Sequence, residues 1–468
     1  MSVENTHYGP GQIARMLQNC NGIFFIGIGG ISMSGLARLS LHEGYFVGGS
    51  DRNESPTTKG LEQVGIKVYY GHAASHIEAY DAVVYTVAIE ASNPEYLAAK
   101  YEGKPLISRS DYMGYLISKF KNRIGISGMH GKSTCTAMCA GIFQMAFDPT
   151  VLCGAEVPSL GDAPCRISKE RAHIVFEACE YMDSFLDFSP SLAVILNIGM
   201  DHVDYFHSMD QIRASFLAYA KKTGSEGVVL YNADDAESVK AMEGFDGRKL
   251  TFGIKSDADF VAREISNARG GVTKFDLYYH SQNLCRITLQ VFGEHNVYNA
   301  LAAAGAATIC GMTPDVIMAG LANFSGAHRR MERKGFIENG AVVYDDYGHH
   351  PDEIKATLAG AKELGFARVL CAYQPHTYSR TAGLLDAFST AFEDADRVYL
   401  ADIYAAREQN VFGVTSQTLA DRIGENAVYC GSFDHLANTI LKEARDGDLV
   451  IVMGAGDIHK VFPMLGLV

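Results

Sequence analysis

No Cys-x-x-Cys pair occurs among the ten cysteines, which stand at 20, 135, 139, 153, 165, 179, 285, 310, 371 and 430. Cys135 and Cys139 have helical spacing but no second pair to complete a metal site, so the cysteines read as buried free thiols. No uninterrupted apolar run approaches the roughly 18 residues that a membrane helix needs. The opening MSVENTHYGP carries no charged-then-apolar leader, so neither a signal peptide nor membrane insertion is expected, and the chain reads as cytoplasmic. Basic charge is short as well: 40 Lys and Arg face 54 Asp and Glu, for a net charge of -14. A general nucleic-acid binder presents a basic surface, so no nucleic-acid partner is expected. Repetition is also missing. The 47 glycines follow no Gly-x-x period, and such a surplus marks tight turns and close backbone approaches.

What is present is an apolar-rich chain able to build several cores. Apolar residues make up 47% of its 468 positions and charged residues 20%, which excludes a disordered or fibrous protein. At roughly 150 residues per domain the length suggests three domains. The motif pattern divides them at 1–118, 119–324 and 325–468.

The first region opens with NGIFFIGIGGISMSGLARL: an apolar strand, the glycines 27, 29 and 30, and a helix that leads to a second strand ending at Asp51. This is the opening βαβ of a nucleotide-type α/β fold, in which a helix N-terminus offers unpaired N–H groups to phosphate. The spacing GxGG departs from the dinucleotide form GxGxxG. A purely structural turn therefore stays open beside a phosphate-bearing ligand at Gly27, Gly29 and Gly30.

The second region sets an apolar strand before GMHGKST. Gly128, His130, Gly131, Lys132, Ser133 and Thr134 make a phosphate loop followed by an apolar helix. Glycines expose backbone N–H groups, Lys132 reaches phosphate oxygens, and a hydroxyl at Ser133 or Thr134 suits Mg²⁺. Farther on, EACEYMD places Glu177 and Glu180 after one apolar strand, and NIGMDHVD places Asp201, His202 and Asp204 after another. Such strand ends open onto one crevice, so Glu177 and His202 are candidate metal ligands beside the loop. GEHNVYNALAAAG holds His295, Asn296 and Asn299 at a helix start; capping and base binding both remain open for them. SGAHRRMERKG makes a local positive site.

The last region alternates strands and helices, as in a mostly parallel sheet covered on both faces. DDYGHHPDE and YQPHTYSR fall at successive strand ends, where a substrate site is expected. His349 and His350 lack a third ligand at convincing spacing and do not read as a metal pair. His350-Pro351 reads as a helix start or as a substrate contact. Arg380 offers a fixed charge and a fork for carboxylate or phosphate.

Taken in order, FIGIGGISMSGLA, ISGMHGKST, EACEYMDSF, NIGMDHVDYF, GEHNVYNALAA, AHRR, DDYGHHPDE and YQPHTYSRT resemble the Mur ligase family over almost the whole chain. The resemblance implies a three-domain α/β architecture: a Rossmann-like N-terminal UDP-sugar domain, a central P-loop ATPase domain and a Rossmann-like C-terminal domain that receives an amino acid. It implies ATP- and Mg²⁺-dependent ligation of L-alanine to the lactyl carboxylate of UDP-N-acetylmuramate through an acyl phosphate, in peptidoglycan precursor synthesis, by a monomer or weak homodimer. Closure of the third domain over the second is expected, to keep water from the acyl phosphate.

By the same resemblance Lys132 binds the ATP phosphates, and Ser133, Thr134, Glu177 and His202 surround the metal. His295, Asn296 and Arg329 hold the nucleotide, and Asp345 its ribose. Gly27, Gly29, Gly30, His72 and Arg109 approach the UDP-sugar. Tyr347, His349 and Arg380 face the amino acid, with His202 or His349 assisting its deprotonation. The chain departs from the family pattern at Met129, Ser133, Gly199 and Thr377, and only Ser133 keeps the chemistry of the usual residue. Three rivals remain at this stage: a ligase that recycles a muramyl tripeptide, a nicotinamide-dependent dehydrogenase built on Gly27 to Asp51, and a non-catalytic nucleotide-dependent module.

Overall fold

Strands that read as continuous apolar runs become the centres of parallel sheets, because helices cover both of their faces. The computed structural model describes residues 3–161, 163–202, 205–268, 272–326, 328–406 and 408–467. Asp204, one of the acidic residues considered above, lies outside the described residues. The chain forms two compact units, Met1–Ile198 with Asp210–Asp259 and Ala302–Gly320, and Gly199–Met209 with Phe260–Leu301 and Leu321–Val468.

The first unit begins with β1 (Gly22–Ile26), β2 (Phe46–Asp51), β3 (Lys67–Tyr70), β4 (Ala82–Tyr85) and β5 (Leu106–Ser108). They form a parallel sheet in the order β3-β2-β1-β4-β5. The order reverses beside β1, so the carboxyl end of β1 lies at a switch point, the usual ligand crevice of such sheets. β1 stops at Ile26 because Gly27 turns with φ +81°, and the Gly27 and Ile28 N–H groups donate to Ser50 O at 2.8 and 2.9 Å. Phe24, Ile26, Val83 and Tyr85 pack on one face with Ile77 and Tyr80.

The same unit continues through β6 (Asn122–Ser127), β7 (Thr150–Val157), β8 (Ala163–Arg166), β9 (His173–Glu177), β10 (Leu192–Ile195), β11 (Val228–Asn232) and β12 (Arg248–Gly253). These run in the order β12-β11-β10-β6-β9-β7-β8. Only the β7/β8 pair is antiparallel among the registered pairs of this set. β6 is central and the phosphate-loop motif follows it directly. Gly125 is small because Tyr219 Oη and the Phe176 ring crowd its Cα: a Cβ there would lie 2.2 Å from Tyr219 Oη.

The second unit holds an antiparallel meander of β13 (Phe260–Ala268), β14 (Val272–Tyr279) and β15 (Gln282–Leu289). It also holds β16 (Glu332–Phe336), β17 (Val342–Asp346), β18 (Val369–Tyr373), β19 (Arg397–Ala401), β20 (Ala427–Gly431) and β21 (Leu449–Met453). These order as β16-β17-β21-β18-β19-β20, with β16 antiparallel and the others parallel. β18 and β21 are buried at every position, and separate apolar clusters cover the two faces of the sheet. Each fully buried Val, Ile or Leu of these strands contributes roughly 1.5–3 kcal/mol. β21 ends at Met453 since Gly454 takes φ +149°, three residues before the end read from sequence.

None of the described cysteines is in a disulfide, and six of the ten are buried. Among the described residues no helix is long and apolar enough to cross a membrane.

Candidate active site

Three strand ends in the first unit build the phosphate-loop site. The loop after β6 is shaped by Gly128 at φ +140° and Gly131 at φ +84°, conformations that favour glycine. A Cβ at Gly128 would also come within 3.0 Å of Leu196 Cβ. Asn197, just beyond β10, clamps the loop from the side. Its Oδ1 accepts from His130 N–H at 2.8 Å, its Nδ2 donates to His130 O at 3.0 Å, and its own carbonyl accepts from Met129 N–H at 3.2 Å. Gly131 then caps the helix Lys132–Ala146, whose N-terminus is positive.

The Lys132 ammonium lies 3.0 Å from Glu180 Oε2 and donates to the carbonyls of Gly128 and Met129. Burial works against its charge, but Glu180, then Cys179 and Glu177, outweigh that and hold its pKa above the ordinary lysine value. Glu177, the last residue of β9, accepts from Ser133 Oγ–H at 2.9 Å and from Gly154 N–H at 2.8 Å. The approach is so close that a Cβ on Gly154 would sit 2.6 Å from both Glu177 oxygens. Two positive-φ glycines, a charged lysine, a hydroxyl and a carboxylate make a donor set that fits a polyphosphate and a hard, oxygen-seeking cation.

The first glycine motif works differently. Its amides at 27 and 28 are taken by Ser50 O, and Gly29 N–H donates to Asp51 Oδ2 at 2.9 Å. Gly29 must be glycine because a Cβ would lie 2.8 Å from Asp51 Oδ2 and 2.9 Å from Thr58 Cγ2. What this region presents to a ligand is the start of the helix Ile31–His42 and the guanidinium of Arg109. Arg109 Nη1 donates to Ser32 Oγ at 3.1 Å, and burial lowers its pKa against the opposing pull of Cys179 and Asp187. Ser32, Arg109, Gly154, Glu177 and Cys179 line one cavity, so the cation of the first sheet and the carboxylate beside the phosphate loop face the same space. His72, also assigned to the sugar side, has Nδ1 2.8 Å from Glu95 Oε2. On the assignment of Arg109 to the UDP-sugar that the family resemblance implies, Arg109→Ala should raise the KM for that substrate by about 30-fold, equivalent to roughly 2 kcal/mol of charge-assisted contact; steady-state kinetics in that substrate check it.

The second unit holds the remaining candidates at the ends of β17 and β18, at the start of the helix Glu294–Ile309, before β16 and on Gly199–Met209. Asp345, one residue before the end of β17, has Oδ2 3.5 Å from Arg329 Nε, while its Oδ1 has no hydrogen-bond partner among the described residues. Burial pushes the Asp345 carboxyl up to about 6, against the pull of Arg329. Arg329 donates through Nη2 to Gly454 O at 2.6 Å and lies 4.9 Å over the Tyr347 ring. Asn296 Nδ2 donates to Phe292 O at 2.7 Å, closing the turn before the helix Glu294–Ile309. His295 is held down to about 4, by burial first and Arg330 next, and is neutral at pH 7.

His350 resolves as a helix start. It caps Pro351–Lys362 in a capping box completed by Glu353, and its Nε2 lies 3.2 Å from Met200 O. Arg380 forks onto Asp201 Oδ1 through Nε at 3.3 Å and Nη2 at 3.0 Å. Burial raises the Asp201 pKa, but the neighbouring His202 and Arg380 outweigh it and hold the carboxyl well below its usual range. The stability from this depressed pKa is complete above the unfolded value of about 3.9 and is lost as pH falls through the folded value. Asp201→Asn should cost about 3–5 kcal/mol at pH 7, as expected when one partner of a buried ion pair is removed. It should also flatten the acid limb of a plot of melting temperature against pH. Three non-glycine residues here, His202, Arg329 and Thr377, hold φ values of +50°, +57° and +68°, and such backbone strain concentrates at functional sites. Thr377 also caps Tyr378–Gly383, its Oγ1 accepting from Arg380 N–H at 3.4 Å.

Asn197, Ser32 and Gly154 are not among the residues that the sequence singles out, and Glu180 and Asp51 stand there only as acids at strand ends. Glu180 carried a signal, standing three residues after Glu177 on the same strand end. The others act through contacts with no local sequence pattern.

Comparison with known proteins covers the whole arrangement. The profile described as Mur ligase family, catalytic domain, matches residues 22–121; the Mur ligase middle domain matches 126–307; and the Mur ligase, glutamate ligase domain, matches 329–456. UDP-N-acetylmuramate–L-alanine ligase of Caldicellulosiruptor bescii is 44% identical over 450 residues, covering 95% of this chain and 98% of the relative. The protein of the same name from Clostridium novyi is 44% identical, covering 94% and 96%. The crystal structure of UDP-N-acetylmuramate-alanine ligase from Thermotoga maritima superposes with a TM-score of 0.81 at 27% identity, covering 95% and 98% of the two chains. A murein peptide ligase from Psychrobacter arcticus shares the fold, with a TM-score of 0.72 at 24% identity and the same coverages, 95% and 98%.

Proposed function

This chain belongs to the Mur ligase family, and we propose that it joins L-alanine to the lactyl carboxylate of UDP-N-acetylmuramate with ATP, through an acyl phosphate, in cytoplasmic synthesis of the peptidoglycan precursor. The observation that carries this reading is the cavity shared by Ser32, Arg109, Glu177 and Cys179. It supports an anionic acceptor that reaches from the first sheet to the phosphate loop. The acceptor amino acid follows from the names of the relatives.

The chemistry follows from the charges. The lactyl carboxylate must attack the γ-phosphorus of ATP although both reactants are anions, so cationic groups have to offset their repulsion. Lys132 supplies one such charge on the phosphates and Arg109 another on the sugar-nucleotide side. Ser133, Thr134, Glu177 and His202 would hold Mg²⁺, which when bound adds further neutralisation of the phosphates. Glu180 fixes the Lys132 ammonium, and Asn197 fixes the loop amides. Asp345 is assigned to the ribose, and His295, Asn296 and Arg329 to the base. Tyr347, His349 and Arg380 are assigned to the amino acid, whose ammonium must lose a proton before it attacks. We place the three domains at 1–118, 119–324 and 325–468. The dehydrogenase alternative is dropped, because the chain is a ligase-family member.

The test is acceptor choice. With ATP, Mg²⁺ and UDP-N-acetylmuramate, mass spectrometry should find the alanine adduct when L-alanine and a free tripeptide with an unblocked α-amine compete at equal concentration. A predominant tripeptide adduct would replace this reading with the recycling one.

A further inference from the structure

Within the first unit, residues 4–8 bond both to the start of the helix Arg109–Ser118 and to the segment that follows Glu180. On the helix side Tyr8 N–H donates to Asp111 Oδ2 at 2.8 Å, and the Thr6 hydroxyl donates to the same oxygen. Ser108 N–H donates to Thr6 Oγ1 at 3.1 Å, and Tyr85 Oη–H, at the end of β4, donates to Glu4 O at 2.7 Å. On the other side Asn5 Nδ2 donates to Met182 O at 3.2 Å and reaches Ser184 Oγ at 3.5 Å. Asn5 Oδ1 accepts from Ser110 Oγ–H at 3.1 Å. One amide thus spans from the helix that carries Arg109 to the turn that begins at Glu180.

That turn is strained. Asp183 N–H donates to Glu180 O at 2.9 Å, and Met182 and Asp183 hold φ values of +53° and +54°. Two successive side-chain-bearing residues in the left-handed region are costly, and such a conformation persists only where its surroundings hold it. The holding contacts include the Asn5 amide on Met182 O and the Ser215 hydroxyl, which donates to Asp183 Oδ1. Glu180 stands at the head of the turn, and its carboxylate meets the Lys132 ammonium at 3.0 Å, with both side chains largely buried. The helix side has anchors besides Asn5, namely Thr6, Tyr8 and the Ser108 cap. The turn is therefore the part that yields when Asn5 is lost.

We propose that Asn5 is a positioning residue for phosphoryl transfer: by bonding Met182 O it holds the left-handed turn, and through that turn it holds Glu180 and the aim of the Lys132 ammonium. The inference rests on the ligase reading above, in which Lys132 meets the ATP phosphates. The bond to Ser110 adds a second constraint, because it ties the same turn to the helix start that bears Arg109. His7 supplies a control within the same segment. Its Nδ1 lies 2.8 Å from Asp187 Oδ1, but its side chain is 52% exposed, and an ion pair at such a position contributes little.

Two measurements test the proposal. Hydrogen–deuterium exchange of the ligand-free protein reads the turn without any turnover. Asn5→Ala should raise exchange in the peptide covering 181–185 by about 3- to 10-fold, the scale of one lost hydrogen bond. The full-length enzyme is then assayed with ATP, Mg²⁺, UDP-N-acetylmuramate and L-alanine. Asn5→Ala should lower kcat by about 5- to 10-fold and keep the KM for UDP-N-acetylmuramate within about 2-fold of wild type. Asn5→Asp keeps an acceptor for Ser110 but offers Met182 O no donor, so it should lose as much as Asn5→Ala. His7→Ala should keep wild-type exchange and kcat. Unchanged exchange in Asn5→Ala, near-normal kcat in Asn5→Asp, or an equal kcat loss in His7→Ala would overturn the proposal. A rise in KM for UDP-N-acetylmuramate at unchanged kcat would do the same. Wild-type protein that releases no phosphate would instead overturn the ligase reading, and the exchange result would still decide whether Asn5 holds the turn.

Discussion

Lys132→Ala is expected to reduce ATP-dependent phosphate release by about 10³-fold or more while leaving sugar-nucleotide affinity near wild type. The lysine is charged, and it is aimed by Glu180 and the carbonyls of Gly128 and Met129. It stands at the start of a helix whose N-terminal dipole already favours anions. Phosphoryl transfer from ATP depends almost wholly on positioning and charge neutralisation, so loss of a preorganised cation is felt in the chemical step. The glycine turn at Gly27 and the guanidinium of Arg109 are built from other contacts, hence the unchanged acceptor affinity. Phosphate release and calorimetric titration of UDP-N-acetylmuramate separate the two effects. Weakened acceptor binding equal to the loss of turnover would mean that Lys132 supports the fold of the site rather than the phosphates.

The second large effect is at Glu177. Its carboxylate faces the shared cavity and accepts from the Ser133 hydroxyl and the Gly154 amide. Glu177→Ala should lower turnover by about 10²–10³-fold and raise the Mg²⁺ concentration needed for half-maximal activity. Gly154→Ala should push in the same direction with a smaller effect, because its Cβ would come within 2.6 Å of both Glu177 oxygens and force the carboxylate aside. A Mg²⁺ titration of phosphate release reads both variants. An unaltered Mg²⁺ requirement in Glu177→Ala would limit Glu177 to holding Ser133.

Much of this architecture was legible from local pattern. The strand–loop–helix around GMHGKST forms as read, since glycine at 128 and 131 supplies the positive φ that the loop needs. His350-Pro351 starts a helix because proline fits the first turn and Glu353 completes the box. The partners of these groups were less legible. Asn197 is 67 residues from His130 and Glu180 is 48 from Lys132, so nothing in a sequence window links them. Gly29 looked like a phosphate glycine, yet its spacing to Asp51 and Thr58 shows a close-approach role. Thr377, which stands where the family commonly has arginine, has a local purpose as a helix cap.

The most direct measurement of the central claim is phosphate release from the full-length protein with ATP, Mg²⁺ and UDP-N-acetylmuramate, run with each amino acid in turn. The account predicts release that requires all of these components, is fastest with L-alanine, and yields one phosphate per amide formed. Release that is fastest with glycine or L-serine, or that proceeds undiminished without UDP-N-acetylmuramate, would contradict it.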